Sequence, residues 1–270
     1  MTPGTPLYFD HYQAGPEGEP VAIGGMNTLK MVYDYNPIPR ELSADEGQYI
    51  LGAQANLWTE FIYSRAHVEY MILPRMLALS EAVWSPLESK NYPDFFKRVQ
   101  AHFDYFDFRG INYCKGNYNV GITPVMVNGK LSVSLTSEDP TATIYYTTDG
   151  TWPDAGSNQY THPISVDSSM VVKAVVSVNK EIMSKVPSVQ EFVTDKLTGK
   201  NVTYTFPYSS YYPANGPNSL TDGIRGKQAV GKYWHGFSGK DMIATIDMEK
   251  PTSIHEVSGG FLQRYSDWIF

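Results

Sequence analysis

At 270 residues the chain is longer than one ordinary small domain and suits two or three. Its 42% hydrophobic and 18% charged residues exclude an intrinsically disordered polymer. A formal net charge of −7 without any cluster of Lys or Arg excludes a phosphate-backbone binder, so no nucleic-acid partner is expected. No apolar run approaches the roughly 20 residues of a membrane span, so no transmembrane segment is expected. Met1-Thr2-Pro3-Gly4 has neither the basic nor the apolar region of an export signal. The 20 Tyr residues, against 12 Phe and 5 Trp, supply amphipathic rings that suit sugar or protein partners. The single cysteine, Cys114, rules out an internal disulfide and reads as a small, half-buried residue.

In chain order, residues 7–110 mix short extended pieces with two strong helices, an α/β pattern. Residues 13–48 hold Gly15-Pro16, Gly24-Gly25 and Asn36-Pro37-Ile38-Pro39, so they read as loop with one short helix near residues 27–33. Ile50-Leu51-Gly52-Ala53-Gln54-Ala55 is apolar and small, as in a strand buried on both faces. Residues 67–84 place Val68, Met71, Ile72, Met76, Leu79, Ala82 and Val83 at spacings of three and four, an amphipathic helix that Pro74 should kink or break. A second helix over residues 92–108 has Phe95, Phe96, Val99, Phe103 and Phe106 on its inner face, and Gly110 follows as its C-terminal stop. Both helices read as packing elements.

From about residue 123 to 195 the period changes to two, in residues 131–135, 143–147 and 171–175. Asp149-Gly150 marks a hairpin turn. This is the pattern of a small β-sandwich. Lys196 to Lys200 reads as a linker, and residues 201–270 return to short strands and Gly/Asn/Pro turns. They end on the strand-like Ser266-Asp267-Trp268-Ile269-Phe270.

Two strand ends carry a chemical pattern. Leu7-Tyr8-Phe9-Asp10 and Leu57-Trp58-Thr59-Glu60 each place a carboxylate two residues after an aromatic ring. In extended chain, residues i and i+2 share a side, so each pair offers a ring face and an acceptor to one space. A pyranose uses that combination: its C–H face stacks on the ring while its hydroxyl groups donate to the carboxylate. The alternative is that Trp58 is core and Glu60 a solvated strand end.

The stretch Leu51-Gly52-Ala53-Gln54-Ala55-Asn56-Leu57-Trp58-Thr59-Glu60, followed by His67-Val68-Glu69-Tyr70, Pro74-Arg75, Ala78-Leu79-Ser80-Glu81 and Trp84-Ser85, resembles the last strand and helix of glycoside hydrolase family 20, the β-N-acetylhexosaminidases. Tyr8-Phe9-Asp10 resembles the Tyr-x-Asp of an earlier strand of the same barrel. The resemblance implies a (β/α)8 TIM barrel with its site at the C-terminal strand ends. It also implies a substrate-assisted, retaining hydrolysis in which the acetamido oxygen attacks C1. Trp58 would then wall the pocket of the terminal N-acetylhexosamine, Glu60 and Asp10 would bind its hydroxyls, and Tyr8 would hold the acetamido carbonyl. The proton donor of such enzymes is the Glu of an Asp-Glu pair on a middle strand. Asp45-Glu46 has those letters but follows Glu41-Leu42-Ser43-Ala44, which reads as a helix start or loop.

Ile144-Tyr145-Tyr146-Thr147-Thr148-Asp149-Gly150-Thr151-Trp152-Pro153 resembles the chitobiase/hexosaminidase C-terminal domain, an immunoglobulin-like sandwich, here read as a spacer with no site of its own. Ser219-Leu220-Thr221-Asp222-Gly223-Ile224-Arg225-Gly226, Trp234-His235-Gly236-Phe237, Ile243-Ala244-Thr245-Ile246-Asp247 and Phe261-Leu262-Gln263 resemble the discoidin-like, factor V/VIII C-type sandwich that includes carbohydrate-binding modules. That resemblance puts Asp222 at a structural calcium; a simple turn is the alternative. Trp234 and His235 read as a buried ring beside a loop histidine.

The expected protein is therefore multidomain: the C-terminal part of a TIM barrel over residues 1–115, a β-sandwich over 123–195, and a truncated discoidin-like module over 201–270. The resemblances imply part of an exo-β-N-acetylhexosaminidase, periplasmic or cell-surface/secreted, acting on N-acetylhexosamine-terminated glycans, with no cofactor and no metal at its site. Met1 is expected to be internal to a longer enzyme or a truncated start, and the chain alone to be inactive. The rival reading is a non-catalytic carbohydrate-binding or adhesion protein.

Overall fold

A computed structural model describes residues 1–14, 19–227 and 233–264. The expected terminal strand at residues 266–270 and the Gly15-Pro16 turn lie outside the described residues. Contacts divide the chain into two compact units. The first comprises Met1–Asn119, Ser137–Ala142 and Met183–Val186, and the second Val120–Thr136, Thr143–Ile182 and Pro187–Phe270.

In the first unit, a distorted single turn α1 (Gly4–Leu7) leads into extended residue Tyr8. Helix α2 (Leu29–Asp34) starts where the Thr28 side chain accepts from Met31 N at 3.2 Å, and α3 (Ala44–Gly47) where Ser43 and Glu46 form a reciprocal capping box. Pro74 does more than kink the expected long helix. It splits it into α4 (Arg65–Ile72) and α5 (Arg75–Trp84), because proline has no N–H to continue the ladder. The Leu73 carbonyl at the break accepts from Gln13 Nε2 at 3.2 Å and from Cys114 N at 3.1 Å. Helix α6 (Tyr92–Arg109) begins at Asn91, whose side chain accepts from Asp94 N, and stops at Gly110, whose φ of 62° an L-residue adopts only with strain. Leu7, Phe9, Leu29, Val32, Tyr33, Ala78, Leu79, Phe95, Phe96 and Val99 form one buried core.

The expected strand at residues 50–55 is not buried on both faces. Ala53, Ala55 and Leu57 pack against the core at a period of two, while Leu51 is 98% exposed. Among the described residues, the strand pairing at its end is one parallel bridge between Tyr8 and Asn56, with Met1 N and O bonded to Gly52 O and Gln54 N. Two-sided burial needs neighbours above and below, which a local apolar run cannot supply by itself.

The named strands of the second unit pair antiparallel. One sheet has the order β1 (Gly121–Val127), β2 (Lys130–Thr136), β5 (Ile164–Ser165). The other runs β4 (Asn158–Gln159), β3 (Thr143–Thr147), β6 (Met170–Val178), β7 (Glu181–Ile182), with β8 (Ser188–Phe192) also pairing β6. Leu131, Val133 and Leu135 of β2 are buried as the alternation read from sequence expects, and Ser132 between them is buried as well. Asp149-Gly150 is not a two-residue hairpin, because the strand pairing with β3 begins only at Asn158. Asp149 instead closes a local turn, accepting from Thr151 N and Oγ1. Toward the end of the chain, β9 (Val202–Tyr204) pairs β10 (Ala244–Ile246), and the remaining described backbone there is mostly turns.

Phe95 sits in the first core with its ring 4.7 Å from that of Tyr33, whereas Phe108, on the same helix, is 84% exposed. Phe95→Ala should cost about 3–4 kcal/mol in urea unfolding and Phe108→Ala less than about 0.5. Equal effects would contradict this placement of α6.

Candidate functional site

The backbone of residues 7–9 runs beside that of residue 56: Asn56 N donates to Leu7 O at 2.9 Å, and Phe9 N to Asn56 O at 2.6 Å. That pairing carries Tyr8 toward Trp58, and the two rings meet edge to face at 6.3 Å between centroids. Tyr8 is half-buried and Trp58 is 51% exposed, so the pair borders open space. Asp10 is buried, with its Oδ1 lacking any hydrogen-bond partner among the described residues. Glu60 is exposed in the turn closed by Ile62 N donating to Thr59 O at 3.2 Å. The structure thus brings Tyr8 and Trp58 into contact, buries Asp10 and leaves Glu60 exposed.

His11, Asn27 and Arg75 were not singled out as site residues by sequence. His11 packs its ring 6.0 Å from that of Tyr8, and its Nδ1 lies 3.3 Å from Asn27 Nδ2. Gly25 permits this, since a Cβ there would come within 2.5 Å of the imidazole. Asn27, fully buried, donates through Nδ2 to Gly4 O at 2.9 Å and Tyr8 O at 2.7 Å. Arg75 is fully buried and commits every N–H: Nε and Nη2 to Met71 O, Nη1 to His11 O and Asn27 O at 3.0 Å each, and Nη2 to Phe9 O at 2.6 Å. Its guanidinium also stacks over the Phe9 ring at 4.5 Å. Burial pushes the guanidinium down to about 9, and it stays charged at neutral pH. One signal for Arg75 was present in sequence: it stands four residues after Met71 and three before Ala78, in the phase of the buried face.

Asp45-Glu46 lies in α3, where Glu46 accepts from Ser43 N and Oγ; these bonds hold its carboxyl below the usual range.

In the second unit, Asp222 accepts from Ile224 N at 2.8 Å through Oδ1 and from Asn215 Nδ2 at 2.9 Å through Oδ2. Both oxygens serve the fold, which favours the simple turn over a calcium ligand. Among the described residues no group of three or more His, Cys, Asp or Glu is placed to hold a metal. His235 Nε2 donates to Pro213 O at 3.1 Å and Gly216 O at 2.9 Å, and its Nδ1 lies 3.0 Å from Tyr204 Oη, whose hydroxyl donates to Pro217 O at 3.1 Å. Its ring stacks on Tyr208 at 4.1 Å, and burial lowers its pKa. Trp234 is half-buried and donates to Lys227 O at 2.7 Å. These groups hold loops together.

Residues 1–87 match the glycosyl hydrolase family 20 catalytic domain, and residues 124–188 the chitobiase/beta-hexosaminidase C-terminal domain. A beta-hexosaminidase of Porphyromonas gingivalis is 40% identical over 180 residues, 64% of this chain and 23% of that protein. A beta-N-acetylhexosaminidase of Cellulomonas fimi is 26% identical over 113 residues, 42% of this chain and 23% of that protein. The solved exo-beta-N-acetylglucosaminidase of Vibrio harveyi, in complex with N-acetylglucosamine, is 29% identical over 42% of this chain and 18% of its own, with a TM-score of 0.37. The chain spans less than a quarter of the length of these relatives. Among the described residues no helix is long and apolar enough to cross a membrane.

Burial raises the Asp222 carboxyl to about 6 from an ordinary 3.8, against the opposing bonds from Asn215 and Ile224. A carboxyl whose folded pKa is raised contributes stability that is complete below about pH 4 and is lost as pH rises through about 6. Wild type should therefore lose on the order of 2 kcal/mol relative to Asp222→Asn between pH 4 and pH 7. Paired urea titrations at both pH values measure the difference, and a pH-independent gap would refute the assignment.

Proposed function

We propose that residues 1–87 form one side of the pocket of an exo-β-N-acetylhexosaminidase, with Tyr8, Asp10, Trp58 and Glu60 facing the terminal N-acetylhexosamine. The observation that carries this reading is the Tyr8–Trp58 edge-to-face pair beside open space, together with the buried Asp10 Oδ1 that has no partner among the described residues, in residues that match a catalytic domain. A buried carboxylate oxygen without a donor is costly, and a sugar hydroxyl is the donor that would satisfy it. The half-exposed Trp58 indole offers the apolar face for a pyranose. The names of the relatives, beta-hexosaminidase and beta-N-acetylhexosaminidase, support the substrate class.

In this reading, hydrolysis is substrate-assisted and retaining. The acetamido carbonyl oxygen forms the bond to C1 as the leaving oxygen departs with a proton, and water then opens the oxazoline-type intermediate. The Tyr8 phenol donates to the acetamido oxygen and holds it at attack distance, an orientation effect worth several kcal/mol of barrier. No cofactor enters this chemistry. The sequence has one Asp-Glu step, Asp45-Glu46, and its carboxylate is occupied in a capping box. The acid that protonates the leaving group therefore comes from residues outside these 270.

The same reading gives the remaining parts their roles. Residues 1–115 are the last portion of a TIM barrel, 123–195 a spacer sandwich, and 201–270 a discoidin-like, carbohydrate-binding-type module. The working place of such an enzyme is the periplasm or the cell surface, on N-acetylhexosamine-terminated glycans.

The purified chain should bind N-acetylglucosamine weakly, with a Kd on the order of millimolar, and should not hydrolyse an aryl N-acetylglucosaminide. Titration of the sugar should move the Trp58 indole N–H signal in NMR spectra, with Trp58→Ala weakening binding at least about tenfold. No perturbation at Trp58 up to about 100 mM sugar, or equal binding by Trp58→Ala, would sink the site assignment. Turnover by the isolated chain would overturn the placement of the acid.

A further inference from the structure

The main chain that carries Tyr8 and Asp10 is held by two buried side chains, and we infer that Arg75, directly and through Asn27, is the positioning residue that sets Tyr8 and Asp10. This rests on the sugar-site reading given above. Of the four consecutive peptide carbonyls at residues 8–11, three are taken by two fully buried side chains: Tyr8 O by Asn27 Nδ2 at 2.7 Å, Phe9 O by Arg75 Nη2 at 2.6 Å, and His11 O by Arg75 Nη1 at 3.0 Å. The Asn27 carbonyl accepts from Arg75 Nη1 at 3.0 Å, so the second clamp is itself held by the first.

A carbonyl fixed in direction fixes its peptide plane. With the planes on the C-terminal side of Tyr8 and on the N-terminal side of Asp10 both held, little freedom remains in the directions of the two Cα–Cβ bonds. That precision is what a sugar site requires, because a misplacement of about 1 Å at such groups costs about a hundredfold in rate. The guanidinium also supplies fixed positive charge that interacts with the Asp10 carboxylate.

Arginine is required for geometric reasons. Its planar fork has five donors, and all five are used here on four carbonyls of three separate segments. A lysine keeps the charge but has three donors at one point and cannot span them.

The test is amide hydrogen exchange, read by NMR on the full 270-residue chain. The reporters are the amides of Phe9 and Asn56, which pair across the Tyr8 segment, and Val99, within helix α6, is the control. In Arg75→Lys and in Asn27→Ala, exchange at Phe9 and Asn56 should accelerate at least about tenfold while Val99 keeps its wild-type rate. N-acetylglucosamine affinity should fall by about the same factor. Unchanged protection at Phe9 and Asn56 overturns the inference. So does equal acceleration at all three amides, which is the signature of a general stabilising role. Should Arg75→Lys fail to fold, Asn27→Ala decides on the same readouts. If the wild-type chain binds no sugar, the functional reading falls while the exchange measurement still settles whether Arg75 and Asn27 position the segment.

Discussion

A guanidinium with no exposed surface, whose five donors all end on peptide carbonyls, is the constraint around which the first unit is arranged. Removing such a charge from water costs several kcal/mol even after relaxation. Five hydrogen bonds from a charged donor, at roughly 1.5–3 kcal/mol each, offset that cost, and any one left unmade strands a buried donor. The sum therefore favours a single arrangement of the segments that carry those carbonyls. Met71 O, which the Arg75 backbone N–H would take in an unbroken helix, instead takes the Arg75 side chain. The break at Pro74 and the clamp are thus one device: proline opens the ladder, and the next residue closes the gap while reaching across to Phe9, His11 and Asn27.

Much of this fold is written in local chemistry. The end of α6 is legible in Gly110, the start of α3 in Ser43 and Glu46, and the break between α4 and α5 in Pro74, because each depends on one residue's backbone or one cap. The strands β2, β3 and β6 are legible because alternation is a property of the strand itself. What local chemistry cannot show is how many layers cover a segment. Residues 50–55 have the apolar, small-residue character of a strand covered twice, yet only one face is covered here. Asp149-Gly150 has hairpin letters but serves a turn inside a longer connection.

The site divides in the same way. The ring-and-carboxylate spacing singled out Tyr8, Asp10, Trp58 and Glu60 because each pair is local. The placement of Tyr8 and Asp10 depends on Arg75 and Asn27, which lie 65 and 17 residues beyond Asp10 in sequence. The phase of Arg75 on a buried helix face was visible, but its partners are main-chain oxygens, which have no letter in a sequence. In the second unit the contrast is reversed. Asp222, Trp234 and His235 have letters that invite a ligand, and the structure shows each committed to neighbouring protein groups.

The bond from Cys114 N to the Leu73 carbonyl places the one thiol of the molecule beside the helix break. That thiol is buried, and burial pushes its pKa up, so a disulfide reagent finds neither access nor thiolate while this region is closed. Each labelling event must then wait for an opening. In a chain with a single cysteine, the rate at which colour develops becomes a clock for excursions of the segment that holds the clamp. It needs no introduced probe, and the second unit contributes nothing to the signal.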